Sequence, residues 1–124
     1  EIKGEAQAES NYYLAEFEFV QAKYEASNER IFWMIDNLPT YPQWRWKSLL
    51  LMAKNYAGLQ DDFQANYTLD FIIENADFGT LAQEAQQFKA DLALSRERES
   101  QMTFGVDSLK VEGSELEELE EIEE

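Results

Sequence analysis

The 124-residue sequence contains neither cysteine nor histidine. The first absence excludes disulfides, thiolate nucleophiles and zinc–thiolate sites, and it leaves the redox compartment unmarked. The second removes the commonest general base and the commonest transition-metal ligand together. Basic residues are scarce as well: ten Lys and Arg stand against 26 Asp and Glu, for a net charge of −16. A field of that sign repels phosphate backbones and anionic headgroups, so neither nucleic acid nor a membrane surface is expected as a partner. No apolar run reaches the length of a membrane span and no basic-then-apolar segment opens the chain, so direct membrane insertion is not expected either. The sequence begins with Glu1 rather than Met, and reads as an excised piece or a mature fragment.

A composition that is 44% hydrophobic and 14% aromatic is enough for one modest core and a single folded domain. The clearest stretch is Ser48 to Ala76. Leu49, Leu50, Met52, Ala53, Tyr56 and Ala57 recur at three- and four-residue steps, as do Phe63, Ala65, Leu69, Ile72, Ile73 and Ala76 after a break, which is the period of helices burying one face. The break, Gly58 to Asp62, reads as a turn: Gly58 weakens the helix and tolerates left-handed dihedrals, and Asp61 with Gln64 makes a capping-box pattern.

Three more helices follow from the same reasoning. Ala8, Tyr12, Ala15 and Phe19 mark a first helix from about Glu5 to Val20, with Tyr13, Phe17 and Val20 on an adjoining face that predicts a second packing neighbour. Ser27, Ile31, Met34 and Leu38 mark a second from about Tyr24, closed by Pro39. The third opens on Pro42, which suits a first turn, and runs to about Gly58; the fourth spans Asp62 to Asn75. Thr80 with Gln83 then offers a capping box for a fifth helix, carried by Leu81, Ala85, Phe88 and Leu92 to about Arg98. Residues 101–124 differ in kind. Eight Glu follow Val111 without a Lys or Arg, so half of the net charge lies there, and a solvated, disordered tail is expected; the alternative is a short helix on a partner, with Leu116, Leu119 and Ile122 as its face.

The chain also matches itself at an offset of 38 residues: Ala15 falls on Ala53, Asn28 on Asn66, Ile31 on Leu69, Met34 on Ile72, Ile35 on Ile73 and Asn37 on Asn75. A match covering both helices of a hairpin marks a stacked helical-repeat architecture. The set Leu14-Ala15-Glu16, Tyr24, Ser27, Ile31, Met34 and Pro39, with its second copy Met52-Ala53, Tyr56, Ala65, Leu69 and Ile72, resembles the tetratricopeptide repeat (TPR) pattern. Ser48 to Ala76 followed by AQEAQQFKADL is similar to C-terminal repeats of bacterial cell-envelope TPR proteins of the Tol-Pal-associated and outer-membrane-assembly kind. Ser27 departs from the Ala usual at its position. The 38-residue offset exceeds the usual repeat of about 34, which places four extra residues around Tyr41 to Trp44.

The resemblance implies an all-α fold, a right-handed TPR superhelix fragment of two hairpins (5–38 and 42–76) plus a capping helix (80–98). It implies a non-catalytic protein–protein interaction module in a periplasmic or outer-membrane-associated protein. Its concave groove would be lined by Glu9, Tyr12, Glu16 and Phe19 from the first copy and by Lys47, Leu50, Lys54 and Ala57 from the second, with the fifth helix as a further wall. The partner would be a protein or peptide segment gripped by Tyr12, Phe19 and Leu50 and positioned by Lys47 and Lys54. The blander alternative packs some of these residues against the fifth helix. Tyr12 and Glu16 stand where the carboxylate clamp of some TPR domains wants Lys and Asn, so that clamp is not matched. A second hypothesis makes the chain a terminal cap or spacer of a longer solenoid, dimerising through its exposed repeat ends. Trp46 is expected in the core, and Trp44 is expected to close the widened link. Asp61-Asp62 is better explained by capping than by catalysis; with no nucleophile–base set, phosphate loop or calcium loop, no enzymatic activity, cofactor or metal is expected.

Overall fold

Pro42 and Asp61 stand at the starts of two of the helices. The computed structural model describes the backbone of residues 2–38 and 41–123 and the side chains of residues 4–38 and 41–103. Within these bounds the protein is all-α, with five helices: α1 (Ile2–Val20), α2 (Tyr24–Asn37), α3 (Pro42–Gly58), α4 (Asp62–Asn75) and α5 (Leu81–Glu123). Pro42 is the first residue of α3, and the Asp61 carboxylate caps α4 by accepting from Gln64 N at 3.2 Å. The Thr80 hydroxyl instead donates to the Glu84 carboxylate at 3.3 Å. Pro39 lies outside the described residues. The fifth helix, expected to end near Arg98, continues as helical backbone through the acidic run to Glu123. Gly105 and Gly113 each cost a helix only about 1 kcal/mol, and no proline interrupts it.

The chain divides into two compact units, residues 1–89 and 90–124. In the first, α1 packs on α2 and on α3, α2 on α3, and α3 on α4. Ala15, Ile31, Leu49, Leu50, Leu51, Met52, Ala53, Leu69 and Ile72 form the core, joined by Leu81 and Ala85 from the first turns of α5. Lys89 pairs with Asp70 of α4. In the second unit, Arg96 pairs with Glu99, three residues on, at 3.2 Å.

The 38-residue offset is repeated in backbone geometry. Ala22 and Gln60, 38 residues apart, both sit in the left-handed region (φ 61° and 63°). Around each, the same two bonds close the helix: Lys23 N to Glu18 O (2.8 Å) with Ala22 N to Phe19 O (2.9 Å), and Asp61 N to Tyr56 O (2.9 Å) with Gln60 N to Ala57 O (3.1 Å). This is a Schellman closure with a non-glycine residue in the left-handed position. The conformation that Gly58 was expected to supply is therefore adopted by Gln60. Gly58 is needed for room: a Cβ there would lie 2.5 Å from the Tyr24 ring.

One buried polar cluster ties α1, α2 and α3 together. The Ser27 hydroxyl, fully buried, donates to Ala15 O (2.7 Å) and accepts from Asn55 Nδ2 (2.8 Å), which also donates to Asn28 Oδ1 (3.0 Å). Ser27 thus joins three helices where an Ala would join none. The Asn55 Oδ1 atom is buried without a hydrogen-bond partner among the described residues.

Candidate functional site

The first unit holds a cavity of about 470 Å³ between α1 and α3, closed at one end by the start of α5. From α1 come Tyr12, Tyr13, Glu16, Phe19 and Val20, from α3 Lys47, Leu50, Leu51 and Lys54, and from α5 Leu81 and Glu84. Helical spacing explains the α3 wall: Lys47, Leu50, Leu51 and Lys54 stand at i, i+3, i+4 and i+7, one stripe of a helix. The same holds for Tyr12, Glu16, Phe19 and Val20 on α1.

Of the eight residues that the resemblance assigns to a groove, Tyr12, Glu16, Phe19, Lys47, Leu50 and Lys54 line this cavity. Glu9 is exposed on α1 and Ala57 is buried at the end of α3, and neither lines it. The lining also takes in Tyr13, Val20, Leu51, Leu81 and Glu84. Tyr13 and Val20 belong to the α1 face for which a second packing neighbour was expected. Tyr13, Phe17 and Val20 are instead 51%, 59% and 73% exposed, and two of the three border the cavity. Leu81 and Glu84 come from the first turn of α5, and the capping-box pattern at Thr80 places the start of that helix without showing what it packs on.

The aromatic residues differ from expectation. Trp44 is the buried tryptophan, 6% exposed, with its ring 5.7 Å from Tyr12 and 5.9 Å from Tyr13. Trp46 is half-buried against the core, with its ring 5.8 Å from Phe71. Position 44 is one turn before Ser48 on the buried face of α3, so of the residues expected to widen a link Pro42 to Trp44 are part of the helix itself and Tyr41 is its N-cap. Trp44 Nε1 has no hydrogen-bond acceptor among the described residues.

The electrostatics of the cavity are uneven. Burial, followed by the negative charge of the Glu16 carboxylate one turn away, pushes the Tyr12 phenol up to about 12. Glu84 accepts from Thr80. Lys47 Nζ lies over the Trp44 ring, 4.9 Å from its centroid, and Lys54 Nζ over Phe88 at 5.8 Å, within cation–π range. A second cavity, about 330 Å³, is bordered by Asn11, Glu18, Arg30 and Trp33. Its guanidinium is already engaged, by Glu18 at 2.6 Å and by Asn11 at 3.4 Å.

Among the described residues no helix is long and apolar enough to cross a membrane, and no group of three or more carboxylates is placed to hold a metal ion. No family model, curated protein or solved structure matches this chain. The likeness to TPR proteins rests on the residues that carry it.

Proposed function

We propose that residues 1–89 form a TPR-type protein-binding module that lays a peptide or protein segment in the cavity between α1 and α3, without catalysis. The observation that carries this reading is the convergence of six residues, chosen by their repeat positions, on one cavity of about 470 Å³. Two further observations support it. The packing order, α1 on α2, α2 on α3, α3 on α4 and α1 on α3, is the neighbour pattern that stacked hairpins produce. The matching closures at Ala22 and Gln60 are what a duplicated hairpin would keep. A cavity with apolar walls and a few polar groups at its edge is the usual form of a recognition site, and preformed helices bind without an ordering cost on their own side. A setting in the bacterial cell envelope rests on sequence resemblance alone.

The test uses peptides selected against the purified protein from a random display library. Binding should fall at least tenfold in the double variant Tyr13→Ala with Val20→Ser, whose side chains border the cavity and are largely exposed. It should persist in Phe63→Ser with Tyr67→Ser, exposed aromatics of α4 away from it. The reverse pattern would move the binding surface to α4. That outer face, with Phe63, Tyr67 and Phe71 at 77%, 68% and 43% exposure, favours the second reading, a spacer that self-associates; light scattering that gives a monomer at high concentration excludes it.

A further inference from the structure

The cavity's charged groups are not equally occupied. Its two carboxylates each have a polar neighbour from this chain: Glu84 accepts from the Thr80 hydroxyl at 3.3 Å, and Glu16 lies one turn from the Tyr12 phenol, whose proton its charge helps to hold. Its two ammonium groups form no ion pair: neither Lys47 nor Lys54 has an acidic side chain within ion-pair distance among the described residues, although the chain carries 26 acidic residues against ten basic ones. By contrast, Arg30, Lys89 and Arg96 are paired with Glu18, Asp70 and Glu99. Each cavity lysine is instead held over an aromatic ring, Trp44 or Phe88. A ring face restrains the ammonium group but accepts no hydrogen bond of ordinary strength, so its three donors stay open to a ligand.

The spacing is also defined. Lys47 and Lys54 are seven residues apart on α3, about 10 Å along the axis at 1.5 Å per residue, with Leu50 and Leu51 between them. Resting on the groove reading above, we propose that the cavity selects an acidic peptide segment: two carboxylates about 10 Å apart, flanking a large apolar side chain that enters between Phe19 and Leu50. A partner helix with Glu at two positions seven apart and Leu between them has that shape. The net charge of −16 does not oppose this, because at physiological ionic strength exposed charges more than about 8 Å away are screened while those at the contact are not. A basic segment would leave both lysines facing like charge and would have to displace the Thr80 hydroxyl from Glu84.

The probes are three fluorescein-labelled helical peptides in one Ala-rich host, each with two Leu at the fourth and fifth positions of an eight-residue frame and with Glu, Gln or Lys at its first and eighth. Fluorescence anisotropy against the whole protein should rank them Glu, then Gln, then Lys. The Glu peptide should bind about tenfold more tightly than the Gln peptide, since each of two exposed ion pairs contributes up to about fivefold. Lys47→Gln with Lys54→Gln should remove the difference between Glu and Gln, and Lys47→Glu with Lys54→Glu should invert the ranking. Helicity by circular dichroism should be unchanged, because both side chains are half-exposed. If binding depends on Tyr13 and Val20 but Glu and Gln peptides bind alike, the acidic preference is wrong and the groove reading stands. If no peptide binds, or binding ignores Tyr13 and Val20, both fail.

Discussion

Replacing Ser27 by Ala should destabilise the protein although the resembling repeat pattern has Ala at that position. The hydroxyl is fully buried and makes two hydrogen bonds, to Ala15 O at 2.7 Å and from Asn55 Nδ2 at 2.8 Å. A neutral buried bond contributes about 1 kcal/mol net. Ser27→Ala forfeits both, while Asn55 Nδ2 keeps Asn28 at 3.0 Å, so a loss of about 1–2 kcal/mol follows. At about 4 °C per kcal/mol for a domain of this size, the thermal midpoint should fall by about 4–8 °C. The more discriminating measurement is a double-mutant cycle with Asn55→Leu, followed by urea unfolding. That replacement also removes the unpartnered Asn55 Oδ1, and once it is made the Ser27 hydroxyl retains only its bond to Ala15. Ser27→Ala should then cost about half as much, a coupling of about 1 kcal/mol. Additivity within about 0.3 kcal/mol would mean that Ser27 acts as a small residue and nothing more.

Two other outcomes follow from the same structure. Ala22→Gly and Gln60→Gly should each stabilise by up to about 1 kcal/mol in urea unfolding, because a side chain in the left-handed region costs about 1–2 kcal/mol and glycine returns part of that gain as chain entropy; a loss at either site would contradict the shared Schellman closure. The raised phenol of Tyr12 binds its proton more tightly when folded than when unfolded. Its contribution to stability is therefore complete below pH 10 and is lost as the pH climbs to about 12, and Tyr12→Phe should flatten the fall in stability across that window, with equal slopes refuting the burial of Tyr12 beside Glu16.

The helix boundaries were legible because they depend on local chemistry: Pro42 can only start α3, Asp61 caps α4, and the three- and four-residue steps of Ile31, Met34, Leu69 and Ile72 need no knowledge of neighbours. What escaped was whatever depends on a second surface. Tyr13, Phe17 and Val20 have the periodicity of a packing face, yet periodicity does not distinguish a face covered by a helix from one bordering a cavity. Trp44 and Trp46 are two residues apart, about 200° around α3, so only one could face α1; choosing between them required the direction from which α1 approaches. Gly58 reads as a turn residue, but its reason lies 34 positions earlier in the Tyr24 ring. Of the cavity lining, the residues from α1 and α3 follow from helical spacing within each helix, whereas Leu81 and Glu84 come from α5, whose approach no periodicity in α1 or α3 records.

The 38-residue relation also explains why Ser27 and its counterpart differ. Interior positions of the two hairpins correspond: Ala15 with Ala53, Ile31 with Leu69 and Met34 with Ile72, all buried. Ser27 corresponds to Ala65, also fully buried. The difference lies in what comes next along the stack. Helix α2 is followed by α3, which presents the buried amide of Asn55 at the junction, and a hydroxyl is needed there to receive it. Helix α4 presents Ala65 with no such hydrogen-bonding partner, and a methyl group suffices. The Ser27–Asn55 bond therefore belongs to the junction between hairpins rather than to either hairpin. Since α1 and α3 are the two long walls of the cavity and α2 packs on both, this junction fixes their separation. Weakening it should loosen the cavity before it unfolds the helices, so Ser27→Ala is expected to reduce affinity for the Glu peptide at temperatures well below its thermal midpoint.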